Sequence, residues 1–273
     1  MHLKIFAVKD ENDPSRKTLS WLIYYPHTKT FYLEVPNEID TWEAPLLVSS
    51  FVSRGERTLN AHWSKLWVQQ RIIPQDRQNL GLILKENGLQ EYDEFSLLML
   101  AKGRCAQDDY FLEPLHDAAL PEELSARFQR KVEEVLPLAD QSLLVFFKDG
   151  LAKCCPLRAY LSCRQAFAPI RSSTTLFRSA EILPGGYGVG WGEAQTISDT
   201  ELYQMGEPLP IQLEDLRQFV SRRVLTTAES AHLLDCSRQS IDARVRSDQL
   251  HPVKTTPKAT LFLKGAVAQQ LWK

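Results

Sequence analysis

The chain has 273 residues, 44% of them apolar and 24% charged, with a formal net charge of −2. That composition excludes a disordered or collagen-like chain, and the length allows more than one domain. No run approaches the roughly 18 apolar residues of a membrane span, and "MHLKIFAVKDENDP" lacks the basic flank and apolar core of a signal peptide, so a cytoplasmic protein without membrane partners is expected. The five cysteines, Cys105, Cys154, Cys155, Cys163 and Cys236, contain no C-x-x-C spacing. They predict neither a disulfide framework nor a zinc knuckle, and no metal or cofactor is expected.

Taken in chain order, "TLSWLIYYPHTKTFYLEV" places two β-branched and aromatic runs around a turn-like "PHTK", which predicts a hairpin. The apolar period then changes to three and four through "DTWEAPLLVSSF", "TLNAHWSKLWVQQRI", "QDRQNLGLILKENGL" and "EYDEFSLLMLAKGR". These read as four short helices, the third ending at Asn87-Gly88 with Gly88 at positive φ. Residues 1–118 are expected to form an α+β domain. "LPEELSARFQRKVEEV" predicts a connecting helix, with Pro121 at its start and two acids in its first turn. Next, "SLLVFFKDGLAKCCPL" reads as strand, turn and strand, and the Gly-rich "ILPGGYGVGWGEAQTISDTELY" continues the β texture. Residues 130–205 are expected to form a small sheet-rich domain, followed by the linker-like "QMGEPLPIQ".

In "SLLVFFKDG", "CPLRAYL", Phe177, "GVGWG" and "SDTELY" this middle segment resembles a small uncharacterised bacterial domain found beside, or fused to, helix-turn-helix regulators. The resemblance brings no known chemistry and no catalytic residues with it. It implies a regulatory neighbourhood, antitoxin-like or associated with mobile elements.

Charge becomes informative when the chain is divided. Residues 211–273 hold 10 Lys/Arg against 6 Asp/Glu, a balance of +4, and the remainder holds 22 against 28, a balance of −6. Phosphate contacts depend on such local excess. Within 212–273, Thr226 and Glu229 have the spacing of a capping box, which starts a helix at Thr227 with Ala228, Ala231 and Leu234 on one face. "DCS" is a short turn, and Ser237 caps a second helix running to about Val245, with Ile241 and Val245 inward. Ser237, Arg238, Gln239, Ser240, Asp242 and Arg244 are then candidates for a major groove, where Arg pairs with guanine and Gln with adenine. "HPVK" and "TLFLK" flank "TTPKA" as a wing, with Lys254, Thr255, Thr256 and Lys258 at its tip facing phosphates. The last residues read as a short helix packing Val267, Leu271 and Trp272 onto the core.

"LTTAESAHLLDCSRQSIDARVRSDQLHPV" is similar in its order of helix, turn, recognition helix and wing to the winged helix-turn-helix domain of the MerR and phage-excisionase families. The resemblance implies double-stranded DNA as partner and a regulatory role. The segments before it differ from the long C-terminal coiled coil of MerR regulators, so metal or drug sensing is not implied.

Other motifs point less far. "GGYGVGWG" lacks G-K-[ST] and reads as a turn between strands rather than a phosphate loop. Asp108, Asp109, Glu113, His116 and Asp117 gather in one stretch, which is the basis of an alternative reading as a metal-dependent nuclease. Arg71, Arg77, Lys102 and Arg104 read as solvated cations, and Trp42, Trp63 and Trp67 as core unless part of that cluster is exposed. No nucleophile–base pair is evident, and no catalytic residue is expected. The sequence therefore predicts an α+β, multidomain transcriptional repressor or autoregulator, homodimeric, with residues 1–205 dimerising or receiving a protein partner such as a toxin or another regulator. The rival readings are the nuclease and a non-DNA adaptor.

Overall fold

The computed structural model describes residues 3–115, 120–192 and 194–272, the side chain of Trp272 excepted. The chain is a mixed α and β structure that divides into two compact units. The first comprises Met1–Asp149 and Lys153–Glu207, the second Gly150–Ala152 and Pro208–Lys273.

In the first unit the chain runs β1 (Lys4–Asp10), β2 (Ser20–Tyr25), β3 (Thr30–Glu34), α1 (Leu46–Val52), β4 (Thr58–Leu59), α2 (Ala61–Gln69), α3 (Leu80–Glu86), α4 (Glu94–Leu100) and β5 (Tyr110–Leu115). The expected hairpin is β2–β3, and the four expected helices are α1 to α4. The strands form an antiparallel sheet of order β4-β3-β2-β1-β5. Both hairpin strands are buried over residues 20–24 and 31–34 without alternation because the sheet is covered on both faces. Phe6, Val8, Leu22, Phe31 and Leu33 pack with Val48, Phe51, Trp67 and Leu98 from the helices. Alternate residues, Ile5, Trp21, Ile23 and Tyr32, pack on the other face with Leu124 and Tyr187. Gly88 has φ +69, as its place after α3 requires.

The chain continues through α5 (Glu122–Gln129), β6 (Val132–Pro137), β7 (Ser142–Phe147), β8 (Ala152–Pro156), the short helices α6 (Arg158–Ser162), α7 (Ala168–Ser172) and α8 (Thr174–Arg178), then β9 (Glu181–Ile182), β10 (Gly188–Gly190), β11 (Thr196–Ser198), α9 (Asp199–Met205) and β12 (Glu207–Leu209). The connecting helix is shorter than its sequence suggested, since "VEEV" belongs to β6. The Gly-rich stretch is a turn with a packing purpose. Gly186 (φ +81) and Gly188 (φ +143) lie so close to backbone that an added Cβ would sit 2.3 Å from the Val132 carbonyl and 2.1 Å from the Ile197 carbonyl. Between them, Tyr187 stacks on Tyr32 at 3.7 Å between ring centroids.

A buried ion cluster lies beside that stack. Lys131 Nζ, above the Tyr187 ring, donates to Glu34 Oε1 at 2.9 Å and to Asp199 Oδ2 at 3.0 Å. Arg127 and Thr58 each donate to Glu34 Oε2 at 2.8 Å. The residues expected to form two separate domains thus share one compact unit, tied by Glu34 from the first and by Lys131, Tyr187 and Asp199 from the second. Burial opposes ionisation of Glu34, but Lys131 and Arg127 outweigh it and hold its pKa below the usual carboxylate range. Burial pushes the Asp199 pKa up against the pull of Lys131, and Glu34 adds to the rise.

The signs follow by linkage. Glu34 contributes stability that is present above the ordinary carboxylate range and lost as pH falls through its lowered folded value. Asp199 contributes stability that is complete below that range and lost as pH rises through its raised folded value. Lys131→Met removes the cation that Glu34 and Asp199 share and leaves Glu34 with Arg127 alone. Chemical denaturation should show a loss of about 3–5 kcal/mol, and a loss below about 1 kcal/mol would mean the cluster is not a structural tie. Asp199→Asn should flatten the decline in stability on the alkaline side of the carboxylate range, read from denaturation midpoints across pH.

Candidate nucleic-acid interface

The second unit contains α10 (Leu213–Arg223), β13 (Val224–Thr226), α11 (Thr227–Leu233), α12 (Arg238–Arg246), β14 (Lys254–Thr255), β15 (Thr260–Leu263) and α13 (Lys264–Ala268). β15 pairs antiparallel with β13 on one side and β14 on the other, with Leu225 opposite Phe262 and Thr255 opposite Thr260. Ala231, Leu234, Ile241, Leu250, Phe262 and Val267 make a single buried cluster. The core thus draws on both helices of the α11–α12 pair, the hairpin strand and α13.

The start of α11 is the expected capping box. The Thr226 hydroxyl accepts from the Glu229 N–H at 3.3 Å, and Glu229 Oε2 accepts from the Thr226 N–H at 2.7 Å. Hydrogen bonds from the Thr226 backbone, then from its hydroxyl, lower the Glu229 pKa. Its end is set by an aspartate in the left-handed region. Asp235 has φ +48, the Cys236 N–H donates to the Ala231 carbonyl at 3.0 Å, and the Asp235 N–H donates to the His232 carbonyl at 3.3 Å. The end of α12 repeats the device: Asp248 has φ +60, Gln249 N–H bonds the Arg244 carbonyl at 2.9 Å, and Asp248 N–H bonds the Val245 carbonyl at 3.1 Å. Asp tolerates this conformation better than most side chains, so both stops are written without glycine.

The candidate DNA-contacting residues divide by what else they do. Ser237 caps α12, its Oγ accepting from the Ser240 N–H at 3.2 Å, and the Ser240 hydroxyl lies 3.0 Å from that same oxygen. Both serines are occupied in shaping the helix start. Arg238, Gln239 and Asp242 are exposed on α12. Arg244 is half-buried, contrary to its expected outward position, and Arg246 is exposed in its stead. The reason is helical phase. Ile241 is fully buried, and a residue five positions on lies about 140° round the helix at 100° per residue, on the opposite face. Counting from Ile241 in the sequence would have found Arg246.

On the hairpin, Lys254, Thr255 and Lys258 are exposed. Thr256 is half-buried and closes the turn: its hydroxyl donates to the Ala259 carbonyl at 2.9 Å and accepts from the Ala259 N–H at 3.0 Å. Val267 is buried as expected, but Leu271 is 56% exposed and does not pack on the core. Trp272, the third member of that expectation, has its side chain outside the described residues.

The competing motifs are accounted for within the first unit. Asp108 pairs with Arg71, Asp109 accepts from Asn12 Nδ2 at 2.7 Å, and Glu113 pairs with Lys9 at 2.7 Å. His116 and Asp117 lie outside the described residues. Among the described residues no three His, Cys, Asp or Glu side chains are grouped to hold a metal ion. Arg71 is buried with its guanidinium 3.8 Å from the Trp67 ring, and Arg104 pairs with Glu11, so the expected scatter of solvated cations holds only for part of that set. The tryptophans separate as well: Trp67 is core, whereas Trp42 is 94% exposed, as is Leu46 at 91%.

A groove of about 1850 Å³ in the first unit is lined by residues including Tyr32, Arg127, Lys131, Tyr187 and Asp199. Two polar atoms of its lining residues, the Tyr187 hydroxyl and Asp199 Oδ1, are buried and without a hydrogen-bond partner among the described residues. No protein-family profile, no curated protein and no solved structure matches the chain.

Phe262 carries the packing of the second unit, being fully buried on the central strand of its sheet. Phe262→Ala should cost about 3–5 kcal/mol and strip hydrogen-exchange protection from α11 and α12. Retained protection in both helices would show that they do not depend on this core.

Proposed function

We propose that this chain is a sequence-specific DNA-binding protein acting as a transcriptional repressor or autoregulator. The observation that carries the reading is the exposed face of α12, which offers Arg238, Gln239, Asp242 and Arg246 in successive turns. These are side chains that read base edges: Arg bidentate to guanine, Gln to adenine, Asp accepting from the cytosine amino group. The helix opens at a serine cap, and its first turn holds Arg238 and Gln239 where a groove-entering helix makes its base contacts. Lys254 and Lys258 supply phosphate contacts from the hairpin, and the +4 balance of residues 211–273 favours the approach of a polyanion. Ser237, Ser240 and Thr256 serve this reading indirectly, by fixing the shape of helix and hairpin. The exposed Trp42 and Leu46 support a protein contact through residues 1–205.

Base-reading and phosphate-contacting residues should fail differently. Arg238→Ala and Arg246→Ala should each cost about 1–3 kcal/mol on the preferred site and relax the choice at one base pair. Lys258→Ala should weaken all sequences alike and reduce the salt slope by about one unit. Titrations on preferred and random DNA at several salt concentrations check both. Unchanged affinity in all three variants would overturn the reading, and divalent-metal-dependent nicking of plasmid DNA would point to a nuclease.

A further inference from the structure

Two N–H groups of the first unit, Trp67 Nε1–H and Arg71 Nε–H, are buried and have no acceptor among the described residues. They belong to neighbours, since the Arg71 guanidinium lies 3.8 Å from the centre of the Trp67 ring. A buried donor without a partner costs the hydration it has lost, and two from adjacent side chains call for one explanation. Both residues line a single cavity of about 500 Å³. Pro45, Leu46 and Leu47, at the start of α1, and Asp108, just before β5, also line it. Leu46 is 91% exposed, so an apolar side chain of the lining is presented to solvent.

We infer that this cavity binds a short uncharged peptide segment, with an apolar side chain set against Pro45, Leu46 and Leu47 and its backbone carbonyls accepting from Trp67 Nε1–H and Arg71 Nε–H. The donors fix the polarity of the ligand: indole and guanidinium N–H groups donate and never accept, so the missing group is an acceptor. Charge then chooses among acceptors. Arg71 and Asp108 are the charged residues of the lining, and they pair with each other. Asp108 Oδ1 also accepts from the Tyr110 N–H at 3.2 Å. The cation of the cavity is already answered, so a carboxylate or phosphate would bring a second negative charge beside Asp108 with no free cation to meet it. A peptide carbonyl brings the lone pairs without the charge, and a peptide repeats that carbonyl beside every side chain. The volume lies within the roughly 300–1,000 Å³ of small-ligand pockets, which limits the bound part to a few residues. Both N–H groups are covered in the free chain, so binding includes a shift of exposed lining side chains such as Gln70 and Gln107. The site lies within the first unit and does not rest on the DNA reading of the second.

Titration of the full chain with N-acetyl-L-leucine N-methylamide, one capped residue of such a peptide, tests the site by nuclear magnetic resonance. The Trp67 Nε1–H and Arg71 Nε–H signals should move downfield together and saturate in the millimolar range, as a ligand of that size allows. N-acetyl-L-leucine, which ends in a carboxylate, should bind about tenfold more weakly or worse. Replacing Arg71 would disturb its packing on Trp67, so the variant is Leu46→Asp, at an exposed position. It should weaken binding of the methylamide by about tenfold while thermal melting stays unchanged. Signals that do not move, or that drift without saturating because ordered water alone holds the two groups, overturn the inference. So does equal binding of the carboxylate, or a Leu46→Asp chain that binds the methylamide as well as the wild type does.

Discussion

The burial of Ile241 is the constraint on which the proposed interface depends. It seats one face of α12 in the cluster of Leu234, Leu250, Phe262 and Val267, and a helix has no freedom to rotate about such an anchor without losing its core. Everything the opposite face presents follows from that phase: Gln239, Asp242 and Arg246 outward, Arg244 turned to the side. The ends of the helix are held as firmly, by the Ser237 cap at one end and the left-handed Asp248 at the other. A recognition surface needs side chains held by rigid elements, and in this unit the rigidity comes from a small core and from polar caps and stops at Thr226, Asp235, Ser237 and Asp248 rather than from size.

The first unit solves a different problem. Its sheet is buried on both faces, and the second of these faces is closed by a Tyr187–Tyr32 stack and by Lys131 between Glu34 and Asp199. Three charged groups taken out of water need one another, with Arg127 at their edge, so the cluster ties into one compact unit two segments that look separate in the sequence. The acid excess lies in residues 1–210, whose balance is −6 against +4 for 211–273. A polyanion would be drawn to the second unit and not to the first.

Much of this was legible beforehand where local chemistry decides the outcome. The capping box at Thr226, the hairpin turn at "PHTK", the positive φ of Gly88 and the α11–turn–α12 order all follow from residues within a few positions of one another. What escaped was set by partners distant in sequence. β1 and β5 give weak signals alone and become strands by pairing with each other across about a hundred residues. Lys131 and Glu34 look like ordinary surface charges until the fold brings them within 2.9 Å. Thr256 was readable as a hydroxyl on a basic hairpin, but its engagement with Ala259 depends on the turn that it closes. Trp42 shows the opposite case, an aromatic expected in the core that the Asp40–Glu43 turn holds outward.

The central claim is that the exposed face of α12 enters a DNA groove, and footprinting of the full chain on the DNA upstream of its own coding region tests it most directly. The account predicts protection of two half-sites whose centres are about 10–10.5 base pairs apart, or a multiple of that, with guanine-specific protection in the major groove of each. Absence of any protected site at low salt, where phosphate contacts are strongest, would contradict it.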